Sequence, residues 1–183
     1  MIRVRAAVEK NTRSATGLSS RVDKSQVRPL TGISLKSCID TLRPIIPGAT
    51  VCDLYAGEGR FAQACLHEGA LRVVMVERDR RQCARLQKTV HPAVLIQGES
   101  FDFLRHTQEW FDIIFCDPPF PDWTQKFADE LCQLVSKRLN NGGIFLVKNP
   151  ARMVVSLGRD LELIKESKFG ESRLTYLKNV AFP

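Results

Sequence analysis

The chain has 183 residues, with 27 Lys+Arg against 20 Asp+Glu and a formal charge of +7. That length holds one domain with a core of its own and no second large one, and 44% hydrophobic with 26% charged residues excludes wholesale disorder. No apolar run approaches the roughly 18–20 residues of a membrane span, and the start Met1-Ile2-Arg3-Val4-Arg5 lacks the apolar stretch of a secretory signal.

Taken in chain order, residues 1–30 carry seven cations (Arg3, Arg5, Lys10, Arg13, Arg21, Lys24, Arg28) and two anions (Glu9, Asp23), which is +5 of the +7. Residues 9–34 are rich in Ser, Thr, Gly and Arg without a sustained period, and read as an extended basic arm. Such a surplus suits a polyanionic partner. A helix is expected over 35–43, stopped by Pro44 and Pro47-Gly48. Strands follow at 50–55, 72–76, 93–97, 111–116 and 144–148. They alternate with helices at 59–68, 80–90, 100–106 and 124–139, the last closed by Asn140-Asn141-Gly142-Gly143. Strands separated by helices of this length indicate βαβ units and a parallel sheet. Two final strands, 161–168 and 173–179, meet through Gly170, and a short turn makes them antiparallel.

The six cysteines (Cys38, Cys52, Cys65, Cys83, Cys116, Cys132) show no CxxC spacing, and no His pair has metal-ligand spacing. No zinc or other metal site is expected. Several sit in apolar runs, as small buried hydrophobes do. They read as reduced thiols of a cytoplasmic protein.

Four strand ends carry chemistry. The first is Asp53-Leu54-Tyr55-Ala56-Gly57-Glu58-Gly59, a strand running into a glycine turn and a helix. Ligands of open α/β sheets lie outside such strand ends. Glycine lets backbone approach a ligand where a Cβ would collide. The acid Asp53 suits an ammonium or a hydroxyl and repels a pyrophosphate. The second is Glu77, about 20 residues beyond the glycines, where an acid accepts both hydroxyls of a ribose. Beside it, Arg78, Arg80, Arg81 and Arg85 read as a solvated helix face, with a nucleic-acid contact as the alternative. The third is Gly98-Glu99-Ser100-Phe101, placed to meet an adenine by polar edge and apolar face. The fourth is Asp117-Pro118-Pro119-Phe120. Its prolines lack N–H donors and stiffen the loop, leaving carbonyls exposed. Asp117 and the Pro118 carbonyl can accept from an exocyclic NH₂, and Phe120 offers a face for an extruded base.

These residues resemble the class I S-adenosylmethionine-dependent methyltransferases whose loop reads (Asp/Asn)-Pro-Pro-(Phe/Tyr). More closely, the chain resembles the RsmD family of bacterial 16S rRNA guanine-N2 methyltransferases, over residues 28–180. The likeness rests on Arg28-Pro29, Asp53 to Gly59, Glu77-Arg78-Asp79, Asp117 to Phe120, and Arg173 to Lys178. It implies a Rossmann-like α/β fold: a seven-stranded, mainly parallel sheet with an antiparallel C-terminal strand and helices on both faces. A basic extension (1–34) would precede the methyltransferase domain (35–183). Asp53, Tyr55, Gly57, Gly59, Glu77, Glu99 and Phe101 would hold S-adenosylmethionine. Asp117, Pro118, Pro119 and Phe120 would grip the target base. Arg13, Arg21, Lys24 and Arg28 would meet RNA phosphates. The implied partner is ribosomal RNA or the assembling small subunit, met by a monomer with no membrane attachment. Methylation of adenine N6 or guanine N2 in another RNA or DNA is the alternative. A non-catalytic RNA-binding module on the same fold is a second one.

Overall fold

Thr31 opens the first helix. In the computed structural model, which describes residues 31–155 and 157–181, its hydroxyl accepts from Ser34 N at 3.2 Å and starts α1 (Gly32–Leu42). The helix therefore begins three residues before the expected 35. Gly32 and Ser34 are weak helix formers, and the cap outweighs them. The expected arm lies outside the described residues, apart from its last four positions, 31–34.

Alternation then proceeds as the periodicity implied. The elements are β1 (Thr50–Asp53), α2 (Arg60–His67), β2 (Arg72–Glu77), α3 (Arg80–Thr89), β3 (Val94–Gln97), α4 (Ser100–His106), β4 (Phe111–Cys116), α5 (Gln125–Ser136), β5 (Leu139–Pro150), β6 (Leu161–Phe169) and β7 (Ser172–Asn179). They form a seven-stranded sheet of order β3-β2-β1-β4-β5-β7-β6. The first five strands are parallel, and β7 is antiparallel to both β5 and β6.

Helices cover both faces of the sheet, which is why its central strands read as near-continuous apolar runs. Residues Val73 to Val76 of β2 are all buried. One core packs α1, α2 and α3 on the sheet through Cys38, Leu42, Phe61, Cys65 and Leu86. The other packs α4 and α5 through Leu104, Leu131, Cys132 and Val135. In α5 the spacing Ala128, Leu131, Cys132, Val135 puts four side chains on one buried stripe. Burying Leu131 alone contributes about 1.5–3 kcal/mol. All six cysteines are buried and free.

One expectation needs correction. The fifth strand starts at Leu139, not Ile144, so Asn140–Gly143 lies inside the strand and does not merely close a helix. The pairing slips between Phe111↔Leu139 and Ile113↔Ile144, which leaves extra residues on β5. Asp112 holds this bulge: it accepts from Asn140 Nδ2 and from Thr50 N, both at 2.8 Å. Only glycine fits at 143, where a Cβ would stand 2.9 Å from the Asn140 carbonyl oxygen. At the other end, the antiparallel pair β7-β6 forms the edge of the sheet, as expected. Strand β7 is internal and β6 is the edge.

Candidate active site

The sheet winds outward in two directions from the neighbours β1 and β4, and a cleft of about 480 Å³ opens at their carboxyl ends. This is the topological switch point at which open α/β sheets bind ligands. Asp53, Tyr55, Gly57, Glu77, Glu99, Asp117, Pro118, Pro119 and Phe120 all line it. Residues from four separate strand ends thus meet in one cavity.

Asp53 ends β1 and is 1% exposed. Its Oδ1 has no hydrogen-bond partner among the described residues. Burial pushes its carboxyl up to about 8, with Asp117 and Glu77 adding repulsion and the N–H groups of Ala62 and Tyr55 offsetting part. A buried acceptor without a donor costs free energy unless a ligand supplies one. A cationic donor answers both the empty oxygen and the repulsion.

Glu77 ends β2 and braces the glycine turn. One oxygen accepts from Gly57 N at 2.9 Å, the other from Asp79 N at 2.8 Å. Each oxygen keeps a lone pair for a further donor. Gly57 stands at φ +52°, which favours glycine. Gly59 has a different task from the expected one. It is absent from the cleft lining. It caps α2 at φ +74°, and a Cβ there would lie 2.7 Å from Leu86 Cδ2 and from Val90 Cγ2. Its missing side chain admits α3.

Glu99 stands exposed on the rim, 3.7 Å from Arg78. Ser100 donates to the Leu54 carbonyl and ties α4 to the end of β1. Phe101 is not in the cleft. It stacks on Phe127 at 5.0 Å between centroids. Successive helical residues point about 100° apart, so with Ser100 turned to the cleft, Phe101 turns to α5.

In the loop after β4, Pro118 is buried, and Phe120 begins a single 3-10 turn, Phe120–Asp122. Asp117 is held by Lys148 of β5, whose Nζ lies 3.0 Å from Oδ1 and 3.1 Å from Oδ2. Burial raises the Asp117 carboxyl, and the ammonium offsets part of that rise. Sequence reading missed Lys148. The signal was a lone cation closing the apolar run Ile144 to Val147, since a Lys there is rarely buried without a partner. Arg13, Arg21, Lys24 and Arg28 lie outside the described residues. Among the described residues no cluster of side chains suits a metal ion, and no helix is long and apolar enough to cross a membrane.

A family described as "conserved hypothetical protein 95", the RsmD-like methyltransferases, has a model that matches residues 16–178. The chain belongs to this family. No curated protein matches it. Among solved structures, yhhF of Escherichia coli, provisionally described as a methyltransferase, superposes with a TM-score of 0.77 at 21% identity, over 85% of this chain and 89% of that one. HI0767 of Haemophilus influenzae, provisionally described as a methylase, gives 0.70 at 23%, over 80% and 96%. TrmN of Thermus thermophilus gives 0.68 at 16%, over 81% of this chain and 48% of its own. The RsmD-like chain shares the fold of all three. In it, the switch-point cleft brings the Asp-Pro-Pro-Phe loop and the buried Asp53 together from neighbouring strands.

Proposed function

We propose that this RsmD-like protein is an S-adenosylmethionine-dependent methyltransferase acting on the exocyclic amine of an RNA base, guanine N2 of small-subunit ribosomal RNA in the first instance. The observation that carries the reading is the cleft itself: a buried carboxyl group with one oxygen unpartnered among the described residues, and a stiff Asp-Pro-Pro-Phe loop beside it.

The residues present fit S-adenosylmethionine. The Asp53 oxygen takes its ammonium, Gly57 and Tyr55 flank that end, and Glu77 takes the ribose hydroxyls. Glu99 meets the adenine edge from the rim. The neighbouring structure SMU.776 was solved with SAH bound, and it shares the fold with a TM-score of 0.58 at 18% identity. Bound here, the cofactor supplies an electrophilic methyl on a sulfonium.

The rest is the work of the loop. Asp117 and the Pro118 carbonyl accept from the target NH₂ and localise its lone pair, which conjugation with the ring otherwise withdraws. Phe120 stacks on the base. Pro119 keeps the loop from relaxing. Catalysis is then positioning and electrostatics, without a covalent intermediate.

Charge supports RNA as the partner. Residues 31–183 hold 20 cations against 18 anions, yet residues 78–88 hold five (Arg78, Arg80, Arg81, Arg85, Lys88) against Asp79. Arg81, Arg85 and Lys88 form an exposed stripe along α3, and among the described residues none of them forms an ion pair. Arg78 and Asp79 line the cleft, so the stripe begins at its mouth. Residues 1–30 add seven cations against two anions in the sequence. Six buried free thiols suit a cytoplasmic setting.

Tritium transfer from labelled cofactor to 30S particles, naked 16S RNA and DNA tests the reading. Label in one of the RNA samples, located on a guanine N2, is expected. Label on DNA alone or on adenine N6 redirects the substrate, and no label anywhere refutes the enzyme.

A further inference from the structure

The Lys148–Asp117 pair is the one buried ion pair in the cleft wall, among the described residues. Val147 and Cys116 are register partners on β5 and β4, and Lys148 and Asp117 are the next residue on each strand. The charges therefore sit side by side, on the sheet face that also carries Asp53, because Asp53 pairs with Phe115, two residues before Asp117. Lys148 is 4% exposed and Asp117 15%. The ammonium also lies 5.9 Å from the centre of the Phe120 ring. One side chain thus touches the acceptor and the stacking platform together.

This divides the cleft electrostatically. At the β1–β2 end, Asp53 and Glu77 form no ion pair among the described residues, so no side-chain cation offsets their carboxyl groups. At the β4–β5 end, one carboxylate meets one ammonium, and the pair is neutral. A cationic cofactor is drawn to the first end and not to the second. Without Lys148, Asp117 would be a third carboxyl group in one cavity with no side-chain cation beside it. It would then hold a proton, or compete for the sulfonium and ammonium.

Resting on the methyl-transfer reading, we propose that Lys148 is a positioning residue. It fixes Asp117 as an ionised hydrogen-bond acceptor and cancels its charge, so that the transfer end of the cleft takes a neutral flat amine and not an aliphatic ammonium. Both Asp117 oxygens face the ammonium, and each retains a lone pair for the target NH₂. The proton shed by the amine after transfer goes to water, because the cationic amine formed on transfer is itself a strong acid.

The test uses full-length protein carrying [13Cγ]Asp. The Asp117 resonance, assigned with Asp117→Asn, is titrated in wild type, Lys148→Met and Lys148→Arg. Its midpoint should rise by at least about one pH unit in Lys148→Met and stay near wild type in Lys148→Arg. In parallel, the acid limb of kcat for label transfer onto small-subunit RNA should rise with it, while KM for the cofactor changes less than about threefold. An unmoved midpoint, or an unmoved acid limb with normal kcat, overturns the proposal. If Lys148→Met fails to fold, Lys148→Met/Asp117→Asn should melt above Lys148→Met, and a melting point lowered by the sum of the two single losses overturns the coupling. Wild type that transfers no label while the resonance moves as stated sinks the methyl-transfer reading and leaves the coupling standing.

Discussion

Asp53 sets up a conflict between stability and binding that can be measured without any substrate. Its carboxyl is pushed up to about 8 in the folded protein and returns to about 3.9 in the unfolded chain. Between those values the folded state keeps a proton that the unfolded state has lost. Stability therefore falls as pH rises, by at most about 1.4 kcal/mol per pH unit for one proton. Below the unfolded value both states are protonated and the penalty vanishes. Above the folded value both are ionised and the penalty is complete. From pH 5 to 7.5 the loss comes to about 3 kcal/mol. Asp53→Asn has no proton to lose, so its stability relative to wild type should improve by that amount over the same range. Any fixed cost of the new amide shifts the whole curve and leaves the slope difference intact. Urea unfolding of both proteins without cofactor, at half-unit pH steps, gives the comparison. Parallel curves would show that Asp53 is ionised at no cost and would remove the argument for a cationic ligand.

The remaining predictions concern the loop, the turn and the basic stripe. Asp117→Ala should abolish label transfer while calorimetric affinity for S-adenosylhomocysteine stays within a few-fold; a large loss of affinity would place Asp117 in the cofactor site. Gly59→Ala should cost about 2–4 kcal/mol in urea unfolding, because it combines left-handed strain with overpacking against Leu86 and Val90; a cost below about 0.5 kcal/mol would deny the close approach of α3. Arg81→Glu with Arg85→Glu should weaken RNA binding and flatten its log–log salt slope by about 0.7–0.9 per lost phosphate contact. An unchanged slope would mark that stripe as mere solvated surface. Deleting residues 1–24 should act in the same direction while sparing cofactor affinity.

What was readable in the sequence was local. The alternation of apolar strands and amphipathic helices is written in adjacent residues, and so the parallel sheet and its order of elements could be anticipated. The four strand-end motifs were also readable, because in this architecture every carboxyl strand end points to the same side. Side-chain direction was less accessible. Phe101 and Gly59 sit in the right motifs, yet a single step along a helix turns Phe101 to Phe127, and Gly59 serves α3. Lys148 needed a register that no local pattern supplies: its partner is 31 residues away on another strand. The β5 bulge was hidden because Asn-Asn-Gly-Gly signals a turn wherever it occurs, and only the distant Asp112 keeps it in the ladder.

The place of β7 in the sheet bears on the order in which the protein becomes an enzyme. Strand β6 has one neighbour, and that neighbour follows it in the chain. As the polypeptide leaves the ribosome, β6 has nothing to pair with until residues 172–179 are out. Lys148 has Leu174 of β7 as its register partner. The outer flank of the Asp117–Lys148 pair is therefore closed by the last strand of this sheet in chain order. A nascent chain can complete its β1–β2 end early, but its transfer end is finished only when β7 joins the sheet.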